Sequence, residues 1–186
     1  MAEQTRWQRF PGAASMVLAG ALWLVWPNLA GAAPAVQNPA ATLFNVLRFV
    51  HWDASGSDVR RSVLVLCADR AADLRPDLET LRNRNVRGRR LVLHWLPSLE
   101  RLDGCNALYV DSGNVSRIDA IAAQAIKDHV LTIAASSGLA GSGIMVNMVR
   151  SVDGLQLEIN PRAAKAAGIE LSSELLKVGT VLDYRE

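Results

Sequence analysis

Three histidines, two cysteines and a serine between two glycines are the residues of this 186-residue chain whose types could do chemistry. His51, His94 and His129 lie in separate stretches and form neither an H-E-x-x-H nor a C-x-x-C site, so each reads as structural and no metal or other cofactor is expected. Gly138, Gly141 and Gly143 give a G-x-x-G-x-G spacing. That is not the dinucleotide fingerprint, and it leads into a strand instead of a phosphate-binding helix N-terminus. Ser142 lacks the G-x-S-x-G elbow, and nothing marks a His or Asp as its base. The chain therefore reads as a non-enzyme, with a hydrolase as the weakest alternative. Twenty Lys and Arg against 18 Asp and Glu give a net charge of +2, and aromatics are only 5%, which argues against a nucleic-acid binder. Arg82, Arg84, Arg87, Arg89 and Arg90 form the densest charge cluster. They read as solvated cations near a helix C-terminus, with acidic lipid or an acidic partner as the other reading.

The compartment decides how the cysteines are read. Arg6 and Arg9 precede an apolar run from Ala13 to Trp26, followed by Pro27 and the small-residue site Ala30-Gly31-Ala32. That order is a secretory signal peptide, predicted to occupy residues 1–32 and to be cleaved, leaving one domain over 33–186. As a helix the run would rise roughly 21 Å against a hydrocarbon core of about 30 Å, so a permanent anchor is the poorer reading. In an oxidising compartment, Cys67 and Cys105 read as a disulfide, two unpaired buried thiols being the alternative.

The elements that must position these residues alternate. Asn38-Pro39 predicts a capped helix whose apolar face is Leu43, Val46, Leu47 and Val50, ending at His51-Trp52. A polar turn over residues 53–58 leads to a strand from Ser62 to Cys67. Next come a helix from Asp73 to about Asn83, a turn at Arg87-Gly88 and a strand from Arg90 to Leu96. The pattern repeats with a strand over 107–110, a helix from about Arg117 to Lys127 and a strand over 130–134. The fold class is α/β: a Rossmann-like mixed sheet flanked by helices, ending in an antiparallel β-hairpin. Asn160-Pro161 starts a last short helix, which Gly168 stops.

The hairpin is predicted to turn at Asp153-Gly154, pairing Val152 with Leu155, and hence Met148 with Ile159 and Val146 with Pro161 on the core side. The other side then collects Met145, Asn147, Val149, Glu158 and Asn160, a mixed apolar and polar face that suits a partner surface, or else an ordinary solvent face.

Several runs together resemble the YfiR-like family of periplasmic repressors of membrane-bound diguanylate cyclases. They are Arg48-Phe49-Val50-His51-Trp52, Val63-Leu64-Val65-Leu66-Cys67, Val86-Arg87-Gly88-Arg89 and Cys105-Asn106-Ala107-Leu108-Tyr109-Val110. The C-terminal runs are Val130-Leu131-Thr132-Ile133, Ile144-Met145-Val146-Asn147, Leu157-Glu158-Ile159-Asn160, the stretch 163–169, and the stretch 172–177. Asp53 stands where the family usually has proline, Ser142-Gly143 replaces a common Gly-Gly, and the second cysteine pair of some members is absent. The resemblance implies a periplasmic, non-catalytic protein that binds the periplasmic domain of an inner-membrane diguanylate cyclase and represses it. Less cyclic di-GMP then limits biofilm and exopolysaccharide output. It also implies an outer-membrane lipoprotein that can sequester the repressor, matches Cys67 and Cys105 to the family's cysteine pair, and places the tail around Leu176 beside the hairpin face as partner-binding; a homodimer is an open alternative, since the sequence leaves the oligomeric state undetermined. The alternative function is a periplasmic small-ligand-binding module that uses the crevice at the strand ends.

Overall fold

The computed structural model describes residues 38–52, 62–152 and 154–182. The expected signal peptide at 1–32 and the polar turn at 53–58 lie outside them. The chain runs α1 (Pro39–Arg48), β1 (Val50–Trp52), β2 (Val63–Asp69), α2 (Arg75–Glu79), β3 (Asn85–Val86), β4 (Arg89–Leu96) and β5 (Ala107–Val110). It continues as α3 (Ile118–Lys127), β6 (Leu131–Ala134), β7 (Val146–Ser151), β8 (Gly154–Ile159), α4 (Pro161–Ala166), β9 (Ile169–Leu171), α5 (Ser173–Val178) and β10 (Thr180–Val181).

The Asn38 side chain accepts the Ala40 N–H at 2.8 Å, and Pro39 opens the helix without losing a hydrogen bond. Leu43, Phe44, Val46 and Leu47 are buried, each such side chain contributing roughly 1.5–3 kcal/mol from area removed from water. The helix stops at Arg48, earlier than the apolar spacing predicts. Val50 to Trp52 instead pair antiparallel with Ile169 to Leu171, so partners far along the chain satisfy backbone groups that another helical turn would have satisfied locally.

Eight strands form one mixed sheet in the order β10-β8-β7-β6-β5-β2-β4-β3, the α/β architecture expected from the alternating pattern. Neighbours from β4 through β2, β5 and β6 to β7 are parallel, β3 pairs antiparallel with β4 and β8 antiparallel with β7, and β10 joins β8 in parallel. Alternate residues of the parallel strands face two cores. Leu64, Leu66, Tyr109 and Ile133 pack with apolar residues of α1, α4 and α5 on one face, and Cys67, Leu108, Val110 and Ala134 pack with α3 on the other. Cys67 and Cys105 form a disulfide in the second core, with Cα atoms 5.8 Å apart and a sequence separation of 38. It encloses α2, β3 and β4 in a covalent loop.

The second helix is shorter than predicted. Asp73 does not cap it; the Asp73 carboxylate accepts the adjacent Leu74 N–H and the Tyr109 hydroxyl, and α2 gives way after Glu79 to tight turns. Asn83, with φ 64°, then donates its N–H to the Leu91 carbonyl, which begins the β3–β4 hairpin.

The β7–β8 register also differs from the prediction. Ser151 pairs with Gly154, so Val146 faces Ile159 instead of Pro161, and Asn147 faces Glu158. The predicted ladder would have drawn proline, which has no N–H, into a pairing position. The observed register spends Ile159 on the core and leaves Asn160-Pro161 to start α4. Because the shift is an even number of residues, Val146, Met148 and Ile159 stay on the core side and Asn147, Val149 and Glu158 on the other, whereas Met145, which precedes the ladder, joins the first core.

Candidate partner surface

Of the six residues singled out for partner contact, three are buried. Met145 lies in the first core, its N–H donating to the Thr132 hydroxyl and its carbonyl accepting from the Asn160 N–H. Asn147 is 0% exposed. Its amide donates to the Ser136 carbonyl at 2.7 Å and to the Glu158 carboxylate at 2.9 Å, while its oxygen accepts the Ser136 N–H. Asn160 accepts the Ala163 N–H as the cap of α4 and donates to the Ala140 carbonyl. The expected accessible patch is, in these three residues, a polar lock inside the fold. Alternation along a strand tells which side a residue faces, but not that the loop after β6 closes over that side.

Val149 and Glu158 are half-buried and share the predicted face. Leu176, also half-buried, packs against the first core with α5, on the opposite face of the sheet from Glu158. The six residues therefore do not form one surface. The three histidines are dispersed as expected: His94 is exposed, and the His129 ring is 2.9 Å from the Ala167 carbonyl. His51 carries a buried Nδ1 without a partner. Among the described residues no group of three or more His, Cys, Asp or Glu is placed to hold a metal ion, and no helix is long and apolar enough to cross a membrane.

A different concavity runs between α1, β8 and α5. It encloses about 620 Å³, and its walls include Asn45, Phe49, Leu155, Leu157, Leu175 and Val178. Leu155 and Leu157 alternate with Gln156 and Glu158, and α5 covers them only in part. Val178 is 72% exposed and Phe49 36%, so apolar surface continues from the groove floor onto its rim. The sequence carried a partial signal: an aromatic just past the end of an amphipathic helix. Its counterpart on α5 had no periodic run long enough to be read.

Charge is low along this groove and is held elsewhere by local bonds. Hydrogen bonds from Arg82, then from the Trp95 indole, hold the Glu79 carboxyl below its usual range. The Tyr109 phenol is pushed well above the ordinary tyrosine value, first by burial and then by the Asp73 carboxylate it bonds. Glu174 is lowered by its own backbone N–H and by Ser172. Among the described residues, none of these shifts belongs to a nucleophile and base held together, and the groove is suited to packing against another surface.

Comparison with functionally characterised proteins yields no match. Two solved structures are similar. One is a conserved domain protein from Vibrio cholerae O1 biovar eltor, with 12% identity and a TM-score of 0.55 over 78% of this chain. The other is a substrate-binding protein with adhesive properties from Clostridium difficile in its ligand-free, open form, with 13% identity and a TM-score of 0.48 over 66% of this chain. The chain spans 60% and 55% of their respective lengths. The first likeness concerns the fold alone. The sequence profile of the YfiR/HmsC-like family matches residues 37–180, from the cap of α1 to the start of β10, and the chain belongs to that family.

Proposed function

We propose that this protein is a periplasmic repressor that docks on the periplasmic part of an inner-membrane diguanylate cyclase, lowering cyclic di-GMP and limiting biofilm and exopolysaccharide output. The observation that carries the reading is the family match across nearly all of the described residues. The disulfide supports an oxidising compartment, and the signal peptide at 1–32 belongs to the same reading. The groove between α1, β8 and α5, with Val178 on its rim, offers apolar surface to a segment of the cyclase. Leu176 and the accessible parts of Val149 and Glu158 extend the contact around the hairpin, while Met145, Asn147 and Asn160 hold the backbone that presents it. An outer-membrane lipoprotein competing for the repressor would relieve the cyclase.

The test is cellular cyclic di-GMP in a deletion strain complemented with wild type or with Val178→Asp, after checking periplasmic level and thermal midpoint. Deletion should raise the messenger, wild type should restore it, and Val178→Asp should fail to do so at normal abundance. Unchanged messenger in the deletion strain overturns the repressor reading. Full repression by Val178→Asp removes the groove from the contact.

A further inference from the structure

On the other side of Phe49 lies a second concavity, of about 510 Å³, walled by Phe44, Arg48, Phe49, Arg84, Asn85 and Arg87. Three separate elements bring the arginines there. Arg48 is the last residue of α1, Arg84 follows the turns after α2, and Arg87 is in the turn of the β3–β4 hairpin. The Arg84 guanidinium stacks 3.9 Å from the Phe44 ring centroid, which fixes its plane. The nearest partner of the Arg87 guanidinium is the Arg48 carbonyl, 3.5 Å away at the C-terminus of α1. Among the described residues, none of the three arginines has a carboxylate partner and no acidic residue lines the concavity. The salt bridge present among the described residues, Arg82 with Glu79, is not part of it.

Arg87 is also in an unfavourable backbone conformation. Its φ of 53° precedes Gly88 at 85°, the pair of left-handed residues of a two-residue hairpin in which Asn or Asp normally takes the first position. The turn itself is closed by the Asn85 side chain accepting the Gly88 N–H at 2.8 Å, and so does not need the guanidinium. An arginine held at that position, converging on two others, points to a ligand whose charge offsets their repulsion.

We propose that this shelf binds the dianion of a phosphate monoester. Planar guanidinium forks match phosphate oxygens in pairs, and the volume lies in the range of small-ligand sites. A soluble phosphorylated metabolite and a monoester lipid headgroup share this chemistry. The site stands independently of cyclase repression, although Arg48 and Phe49 also wall the apolar groove.

The test is calorimetric titration of the full mature protein with glycerol 3-phosphate at low salt, alongside sedimentation with phosphatidic acid vesicles and with neutral phosphatidylcholine vesicles. Arg87→Asn is the informative variant, since asparagine suits the left-handed turn and the fold should keep or raise its thermal midpoint. Wild type should bind one equivalent, and Arg87→Asn and Arg84→Met should each weaken binding at least tenfold, with Arg101→Ala unchanged. Binding to glycerol 3-phosphate supports a soluble source, whereas binding only to phosphatidic acid vesicles supports a headgroup. Absence of binding to both, or affinity indifferent to Arg87→Asn, overturns the proposal.

Discussion

Reversing the charge of Glu158 should destabilise the fold itself, whatever it does to a partner. The Glu158 carboxylate accepts a hydrogen bond from Asn147, whose side chain is wholly enclosed and whose remaining amide hydrogen is committed to the Ser136 carbonyl. Lysine at position 158 offers only donors, so one buried amide hydrogen loses its acceptor. Leaving a buried donor unsatisfied costs about 1–3 kcal/mol, and the lost bond was charge-assisted. Taking about 2 kcal/mol, and about 2–4 °C per kcal/mol for a domain of this size, Glu158→Lys should lower the thermal midpoint by about 4–8 °C. Glu158→Gln keeps an acceptor and should lose less than half as much. In an Asn147→Leu background there is no amide left to orphan, so adding Glu158→Lys should cost little, a coupling that a double-mutant cycle measures. Circular dichroism melts of the four proteins are sufficient. A Glu158→Lys midpoint within about 2 °C of wild type, or full additivity with Asn147→Leu, would refute the reasoning and return Glu158 to the free surface.

Replacing both Cys67 and Cys105 by alanine should cost about 4 kcal/mol by the chain-entropy relation for a loop of this length, read as a drop in the urea midpoint against the bridged protein, whose mass should show two hydrogens missing. Gly179→Ala should destabilise by about 1–3 kcal/mol, because a Cβ there would come within 2.5 Å of the buried Ile159 side chain; an unchanged melt would contradict the close approach of α5 to β8. Tyr109 has a folded pKa above its unfolded one, so its contribution is complete below about pH 10 and is lost as pH rises further, by about 1.4 kcal/mol per unit. Tyr109→Phe, weaker at pH 8 by one hydrogen bond, should therefore close the gap on wild type between pH 10 and 11 in urea titrations; parallel profiles would be inconsistent with the raised value.

The parallel part of the fold was legible because its signals are local: continuous apolar runs such as Val63 to Cys67, the Asn38-Pro39 and Asn160-Pro161 caps, and glycine turns between them. What escaped depended on distant partners. Val50-His51-Trp52 continues a helical pattern and becomes a strand only because Ile169 to Leu171 lie beside it. The Asp153-Gly154 turn was the better local choice, but it competes with a proline that cannot join a ladder eight residues later, and that conflict set the register. Face membership survived the slip and burial did not, so the predicted patch was right about which side Asn147 and Glu158 share and wrong about how much of it water reaches.

The clasp of β1 on β9 ties one of the first elements of the chain to one of the last. A growing polypeptide can lay β2, β4, β5 and β6 side by side as each emerges, since their crossovers are short. The extended segment after α1 has no ladder partner until Ile169 to Leu171 have been made, and joining it to them closes the longest loop of any strand pair among the described residues. Completion of the fold thus waits for the C-terminus, and a chain ended before β9 would retain its central strands while its first helix lacked the strand that anchors it.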